Sequence, residues 1–223
     1  REIRRKTANP SHPFSKFSVG NLDTLADREN DPVWDDLKAF YDAEYSASRM
    51  ALAVIGRQST DELMGMVEGM FSEVPAHTVK PKGSVPAYLP GQLGVRINVE
   101  PLAELRTVEL QFPAPSATRH FRERPVELLL FLLGHEGEGS LFSLLKAKGW
   151  AEYLSSFDSG SDDHTLVSVK IGLTEEGFQN WEDVVGHCFQ YIRLLGQEES
   201  LERYFEEKRR ISELNFQFSE PQK

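Results

Sequence analysis

The chain predicts an α+β protein of two layered domains. Each is expected to be a mainly antiparallel sheet with helices on one face, an arrangement known as an α/β roll. Three observations predict it. Apolar residues recur at helical spacing over several long stretches, while shorter segments alternate or are wholly apolar, as strands are. Strands and helices do not follow a regular β-α-β order, so helices covering a mainly antiparallel sheet fit better than a parallel one. A proline- and glycine-rich stretch without periodicity lies between two such sets of elements.

Taken in order, residues 9–19 (NPSHPFSKFSV) hold two prolines among aromatics and read as an irregular, ordered loop. Asp31 and Pro32 then open a helix, because Asp accepts free N–H groups and Pro suits the first turn. Val33, Leu37, Phe40, Tyr41 and Tyr45 keep helical spacing to about Ser46. The run MALAVI at 50–55 stops at Gly56 and predicts a buried strand. Ser59 and Glu62 form a capping-box pair for a helix bearing Leu63, Met66, Val67, Met70 and Phe71.

Between residues 75 and 94, Pro75, Pro81, Pro86 and Pro90 sit among Gly83, Gly91 and Gly94. The expected organisation is therefore a first domain at 1–75, a linker at 76–94 and a second domain at 95–223. Residues 95–99 and 107–112 alternate as half-buried strands. Helices are expected at 122–133 and 140–148, and strands at 151–157 and 165–171. Thr174 caps a long helix through Leu195, with Phe178, Trp181, Val184, Val185, Cys188, Phe189 and Ile192 on one face. A final helix covers 201–218 and breaks near Pro221. Residues 45–74 and 165–196 each pair a strand with a following helix, a loose sign of a repeated domain.

Composition narrows the function. With 223 residues, 39% hydrophobic and 27% charged, the chain has the balance of an ordinary globular protein. No apolar run approaches the ~20 residues that cross a bilayer, which argues against a membrane span. A formal charge of −10 repels phosphate backbones, and the basic cluster from Arg1 to Lys6 is short, so nucleic acid is not an expected partner. The single cysteine, Cys188, excludes an internal disulfide framework, and its apolar helical face suits a structural thiol better than a nucleophile. The chain opens REIRRKTANP, without Met or a signal peptide, and is expected to lie within a longer protein.

The stretch FLLGHEGEGSLFSLLKAKGW at 131–150 is the most distinctive. An apolar helix enters a turn carrying His135 and Glu136, with Gly134, Gly137 and Gly139 permitting close approach by another chain. A zinc-protease H-E-x-x-H helix needs a second His where Gly139 stands. A P-loop needs Lys where Ser140 stands. On spacing alone the segment reads either as a helix-to-helix connection or as a binding turn. The remaining chemistry is sparse. His12, His77, His120, His135, His164 and His187 are too scattered for local metal spacing. Asp158, Asp162 and Asp163 lack the order and terminal Glu of a calcium loop and read as a solvated turn. No G-x-S-x-G elbow occurs, and His187 points about 100° away from Cys188 on a helix.

NPSHPFSKFSVGNLDTL at 9–25, YSASRMALAVIGRQSTDEL at 45–63, GHEGEGSLFSLLKAKGW at 134–150 and GLTEEGF at 172–178 together resemble the insulinase/pitrilysin family of zinc metalloendopeptidases, the inverzincins, and the insulin-degrading-enzyme subgroup in particular. The first is similar to the family's loop after its zinc-ligand helix. The second resembles a family strand and helix start. The last two look like that subgroup's second domain. The resemblance covers nearly the whole chain, with the motifs in family order. It implies a zinc-dependent enzyme that cuts peptides, its metal held by H-x-x-E-H and a later Glu. This sequence has no H-x-x-E-H, and the family's paired catalytic Arg and Tyr are also absent. The resemblance therefore implies a segment without catalytic or metal-ligating residues: the end of a first domain, a linker, and a second domain truncated at its C-terminus. Zinc belongs to the full-length parent and no cofactor to this segment.

What the resemblance leaves to this segment is substrate handling. In the family an exosite holds a peptide's N-terminus as an added strand. Carried over by position, it falls on Gly134, Glu136, Leu154, Ser155 and Ser156. An exposed strand edge binds main chain whatever the side chains, and Glu136 is expected to pair with the terminal ammonium. This chain departs from its relatives at Ser156, where they carry glycine nearby, and at Glu127 and Phe131, where they carry histidines nearby. The implied partners are peptide substrates and the remaining domains of the same chain, with an oligomer left open. The implied location is periplasmic, with the cytoplasm as the alternative. Two other readings stand beside this one: a non-catalytic structural or processing subunit of the same fold group, separated by upstream H-x-x-E-H, and an independent peptide-binding module, which the missing initiator Met disfavours.

Overall fold

The computed structural model describes residues 2–16, 19–29, 32–79, 83, 85–161, 163–198 and 201–220. Asp31, Pro81, Asp162 and Pro221, named above, lie outside them. The chain divides into two compact units, Arg1–Ala87 and Tyr88–Lys223.

The first unit is helical among the described residues: α1 (Glu2–Lys6), α2 (Val33–Glu44) and α3 (Thr60–Phe71). Asp27 serves the start of α2, its carboxylate accepting the Val33 N–H at 2.9 Å. The expected capping box forms on α3. Ser59 Oγ accepts the Glu62 N–H at 3.3 Å, and Glu62 Oε2 accepts the Ser59 N–H at 2.9 Å. These bonds from Ser59 hold the Glu62 carboxyl below its usual range. The loop after α1 is tied down by Asn9, whose N–H and side chain each donate at 2.8 Å, to the carbonyls of Ala87 and Pro86.

Residues 50–55 correct an expectation. They form no strand, and Met50, Leu52 and Ile55 are 49%, 52% and 100% exposed. An extended run becomes a buried strand only where a neighbour pairs its N–H and C=O groups and a layer covers its side chains. Among the described residues this unit supplies no such ladder. Residues 95–99 in the second unit are likewise unpaired, with Val95 and Val99 57% and 55% exposed.

The second unit carries the sheet. Strands β1 (Thr107–Ala114), β2 (Ala151–Ser161) and β3 (His164–Leu173) pair antiparallel in the order β1-β3-β2. Phe112 stands opposite Val167, and Leu154 opposite Ile171. Alternation sends Val108, Leu110, Phe112, Val167, Val169, Ile171 and Leu154 into one core. Helices α4 (Pro125–Leu133), α5 (Leu141–Ala147) and α7 (Trp181–Gln197) contribute Leu133, Leu141, Leu145, Val184 and Cys188 to it. Leu145 and Ile171 are wholly buried, each burial stabilising by about 1.5–3 kcal/mol. The helix α8 (Glu202–Phe218) packs on α4. The α+β class holds, by this sheet and its helices.

Two helix boundaries differ from expectation for local reasons. Helix α4 starts at Pro125, not 122, because Arg124 is left-handed at φ 47° and Pro125 takes the first helical position. The long helix expected from Thr174 is two helices, α6 (Glu175–Gln179) and α7, divided at Asn180. The Asn180 side chain donates to the Glu176 carbonyl at 2.8 Å, a local bond that competes with helix continuation.

Candidate functional site

The glycine-rich turn hangs from the C-terminus of α4, whose last carbonyls need partners. The Leu130 carbonyl accepts the Gly134 N–H at 2.9 Å and the Ser156 hydroxyl, from β2, at 2.6 Å. The Leu132 carbonyl accepts the Tyr191 phenol, from α7, at 3.1 Å. Burial, and then the nearby Tyr204, push that phenol's pKa upward, so it stays a donor. Edge strand and helix thus pin the turn from two sides. Sequence reasoning missed both bonds, although Tyr191 lies three and seven residues beyond Cys188 and Val184, a polar-tipped aromatic on the apolar stripe of α7.

Beyond Gly134, His135 Nδ1 accepts the Gly137 N–H at 3.2 Å, and Gly139 takes φ 80°. Ser140 then caps α5, accepting the Ser143 N–H at 3.1 Å. Glu136 is exposed. Gly134 lies against Ser156: a Cβ at residue 134 would stand 2.6 Å from the Ser156 Oγ. Leu154 is 6% exposed with its side chain in the core, so only its main chain is free to contact a ligand. Ser155 lies on the opposite face of the sheet from Leu154 and Ser156 and is exposed.

Strand β2 is an edge. One side pairs with β3, and among the described residues no strand pairs with the other. Its start is set by close contacts. A register shift falls between Ala151 and Tyr153, and the Tyr153 ring lies over Gly172 so closely that a Cβ there would overlap it. The preceding turn uses Gly149 at φ 73°, and the Thr174 hydroxyl donates to the Gly149 carbonyl at 2.7 Å.

The histidine and acid of the turn do not fit a zinc site. The His135 ring packs between Phe131 and Tyr204, with Nε2 4.0 Å from Glu207, while Glu136 is exposed. Among the described residues, neither unit by itself brings three His, Cys, Asp or Glu side chains within reach of one ion. Cys188 is buried in the core, and burial pushes its thiol up to about 12, far from a nucleophilic thiolate.

The turn, the open strand edge and the helices laid on one sheet define an α+β domain. The family described as the Peptidase M16 inactive domain matches residues 34–211, and the chain belongs to that family. It is 33% identical to the insulin-degrading enzyme of Drosophila melanogaster over 99% of this chain and 23% of that protein. It is 35% identical to the insulin-degrading enzyme of Homo sapiens over all of this chain and 22% of that protein. The A-factor-processing enzyme of Saccharomyces cerevisiae is 34% identical over 98% of this chain and 22% of its own length. In three dimensions the whole chain superposes on 24% of pitrilysin with a TM-score of 0.90 at 29% identity. The chain thus spans less than a quarter of the length of these relatives.

Proposed function

We propose that this chain is a segment of a zinc metalloendopeptidase that degrades peptides, and that it lines the substrate chamber and anchors the peptide N-terminus. The anchor consists of Gly134, Glu136 and the main chain of β2 at Leu154, Ser155 and Ser156. A peptide adds to the open edge of β2 as a further strand, its main chain bonding irrespective of side chains. Its terminal ammonium meets the exposed Glu136 carboxylate. The zinc and its ligands belong to the rest of the parent, and a periplasmic location is part of the same reading. One observation carries the anchor: Gly134, two residues before Glu136, meets Ser156 where β2 is an edge strand.

The test compares a peptide bearing a free N-terminus with its acetylated twin, titrated onto the full-length protein under chelation. A charge-assisted contact contributes roughly 1.5–3 kcal/mol, so Glu136→Gln is expected to weaken the free peptide about tenfold or more. The acetylated peptide should change little. Equal losses for both would discard the anchor.

A further inference from the structure

Glu136 is bracketed by its neighbours. The bond from the Gly137 N–H to His135 Nδ1 spans it, and the imidazole fills the space beside Gly137, where a Cβ would lie 2.6 Å from the ring's Cε1. The ring is held edge-on by Phe131 at 5.7 Å and Tyr204 at 6.1 Å between centroids. An Nδ1 that accepts carries no proton, so the ring's own N–H sits on Nε2, toward Glu207 at 4.0 Å.

We propose that His135 is a positioning residue for the Glu136 anchor, bracing the turn while neutral and releasing it when a second proton arrives. The inference rests on the anchoring reading above. An imidazolium donates from both nitrogens, so the proton on Nδ1 opposes the Gly137 N–H that it formerly accepted. The cation is at the same time drawn toward Glu207. The titratable groups around the ring are Glu136 and Glu138 in the turn and Tyr204 and Glu207 on α8, with Tyr191 of α7 beside Tyr204. Helix α4 contributes the uncharged Phe131. Loss of the brace frees the backbone on either side of Glu136, and the carboxylate no longer waits where the ammonium arrives.

The test is a fluorescence-anisotropy titration of the full-length protein under chelation, at about pH 7.0 and about pH 5.5. Imidazoles take up a proton in this window, while carboxylates stay largely ionised and acidification only completes the charging of an α-amino group. The probes are a C-terminally dye-labelled peptide with a free N-terminus and its N-acetylated twin. The preference for the free terminus is expected to fall about fivefold on acidification, the worth of one neutral hydrogen bond. His135→Asn keeps a carbonyl that accepts from the N–H two residues on, and should show the same preference at both pH values. His135→Phe keeps the ring without the acceptor, and should show the reduced preference at both. A wild-type preference that ignores pH, or a pH response surviving in His135→Asn, overturns the proposal while the anchor stands. No preference for the free terminus at either pH overturns both.

Discussion

The Ser156 hydroxyl donates to the Leu130 carbonyl at 2.6 Å, joining edge strand β2 to the last turn of α4. That carbonyl already accepts the Gly134 N–H, so the side chain adds a second bond at the point where the binding turn begins. The close approach requires that residue 134 lack a side chain, because a Cβ there would press on the same hydroxyl. Strand, helix end and turn are therefore one mechanical unit.

Ser156→Ala should cost about 1 kcal/mol, since the Leu130 carbonyl keeps its helical partner and is not orphaned. Gly134→Ala should cost more in the wild type than in a Ser156→Gly background, where the obstructing hydroxyl is gone. A double-mutant cycle by thermal melting reads the coupling. Additive effects would show that the two residues do not bear on one another.

Gly177 and Gly186 make a contrasting pair. A Cβ at Gly177 would overlap the Trp150 carbonyl, which is backbone and cannot rotate away, whereas nothing lies within 4 Å of one at Gly186 in α7. Gly177→Ala should destabilise by about 1–3 kcal/mol or more. Gly186→Ala should stabilise by about 0.5–1 kcal/mol through helix propensity. Melting temperatures of opposite sign are the expected readout, and a tolerated Gly177→Ala would place the α6 start elsewhere.

Cys188 should resist a thiol reagent such as Ellman's at pH 8 in the folded chain and react fully in denaturant. Burial raises its pKa from 9.0 to about 12, so the folded state keeps a proton that the unfolded state loses. Stability contributed by this group is full below about pH 9 and declines as pH rises toward 12. Cys188→Ala should flatten that part of the alkaline stability curve. Rapid labelling of the native chain would show the core to be open.

The 223-residue chain, purified alone and dialysed, should carry no stoichiometric zinc by elemental analysis and should not hydrolyse a fluorogenic peptide. The reason is the absence of H-x-x-E-H from the sequence and the packing of the His135 ring between Phe131 and Tyr204. Bound zinc at one equivalent, or turnover, would require ligands that this reading does not provide.

Much of the fold was legible because its determinants are local. Ser59 and Glu62 announce the start of α3 from three residues apart, and Thr174 caps the helix it precedes. Alternation in residues 107–112 marks β1, whose inward side chains are the ones the pattern selects, and residues 165–171 fall within β3 as expected. Asn180 was hidden because the apolar stripe runs through it, and a single side-chain bond to Glu176 ends the helix without disturbing that stripe. Residues 50–55 misled because apolarity reports what a segment would bury against a partner, and the partner is not supplied by the described residues.

By itself the sequence determined local choices: where the helices capped by Ser59 and Thr174 begin, and which face of β1 is apolar. Motif order also carried the family. Only the tertiary structure decided the candidate site. The Ser156 bond to Leu130 spans 26 residues, and the Tyr191 bond to Leu132 spans 59. No periodicity encodes such pairs, since each depends on where packing brings a distant element. The edge position of β2 is likewise a property of the whole sheet, because a strand's own residues do not say which of its two sides will find a neighbour.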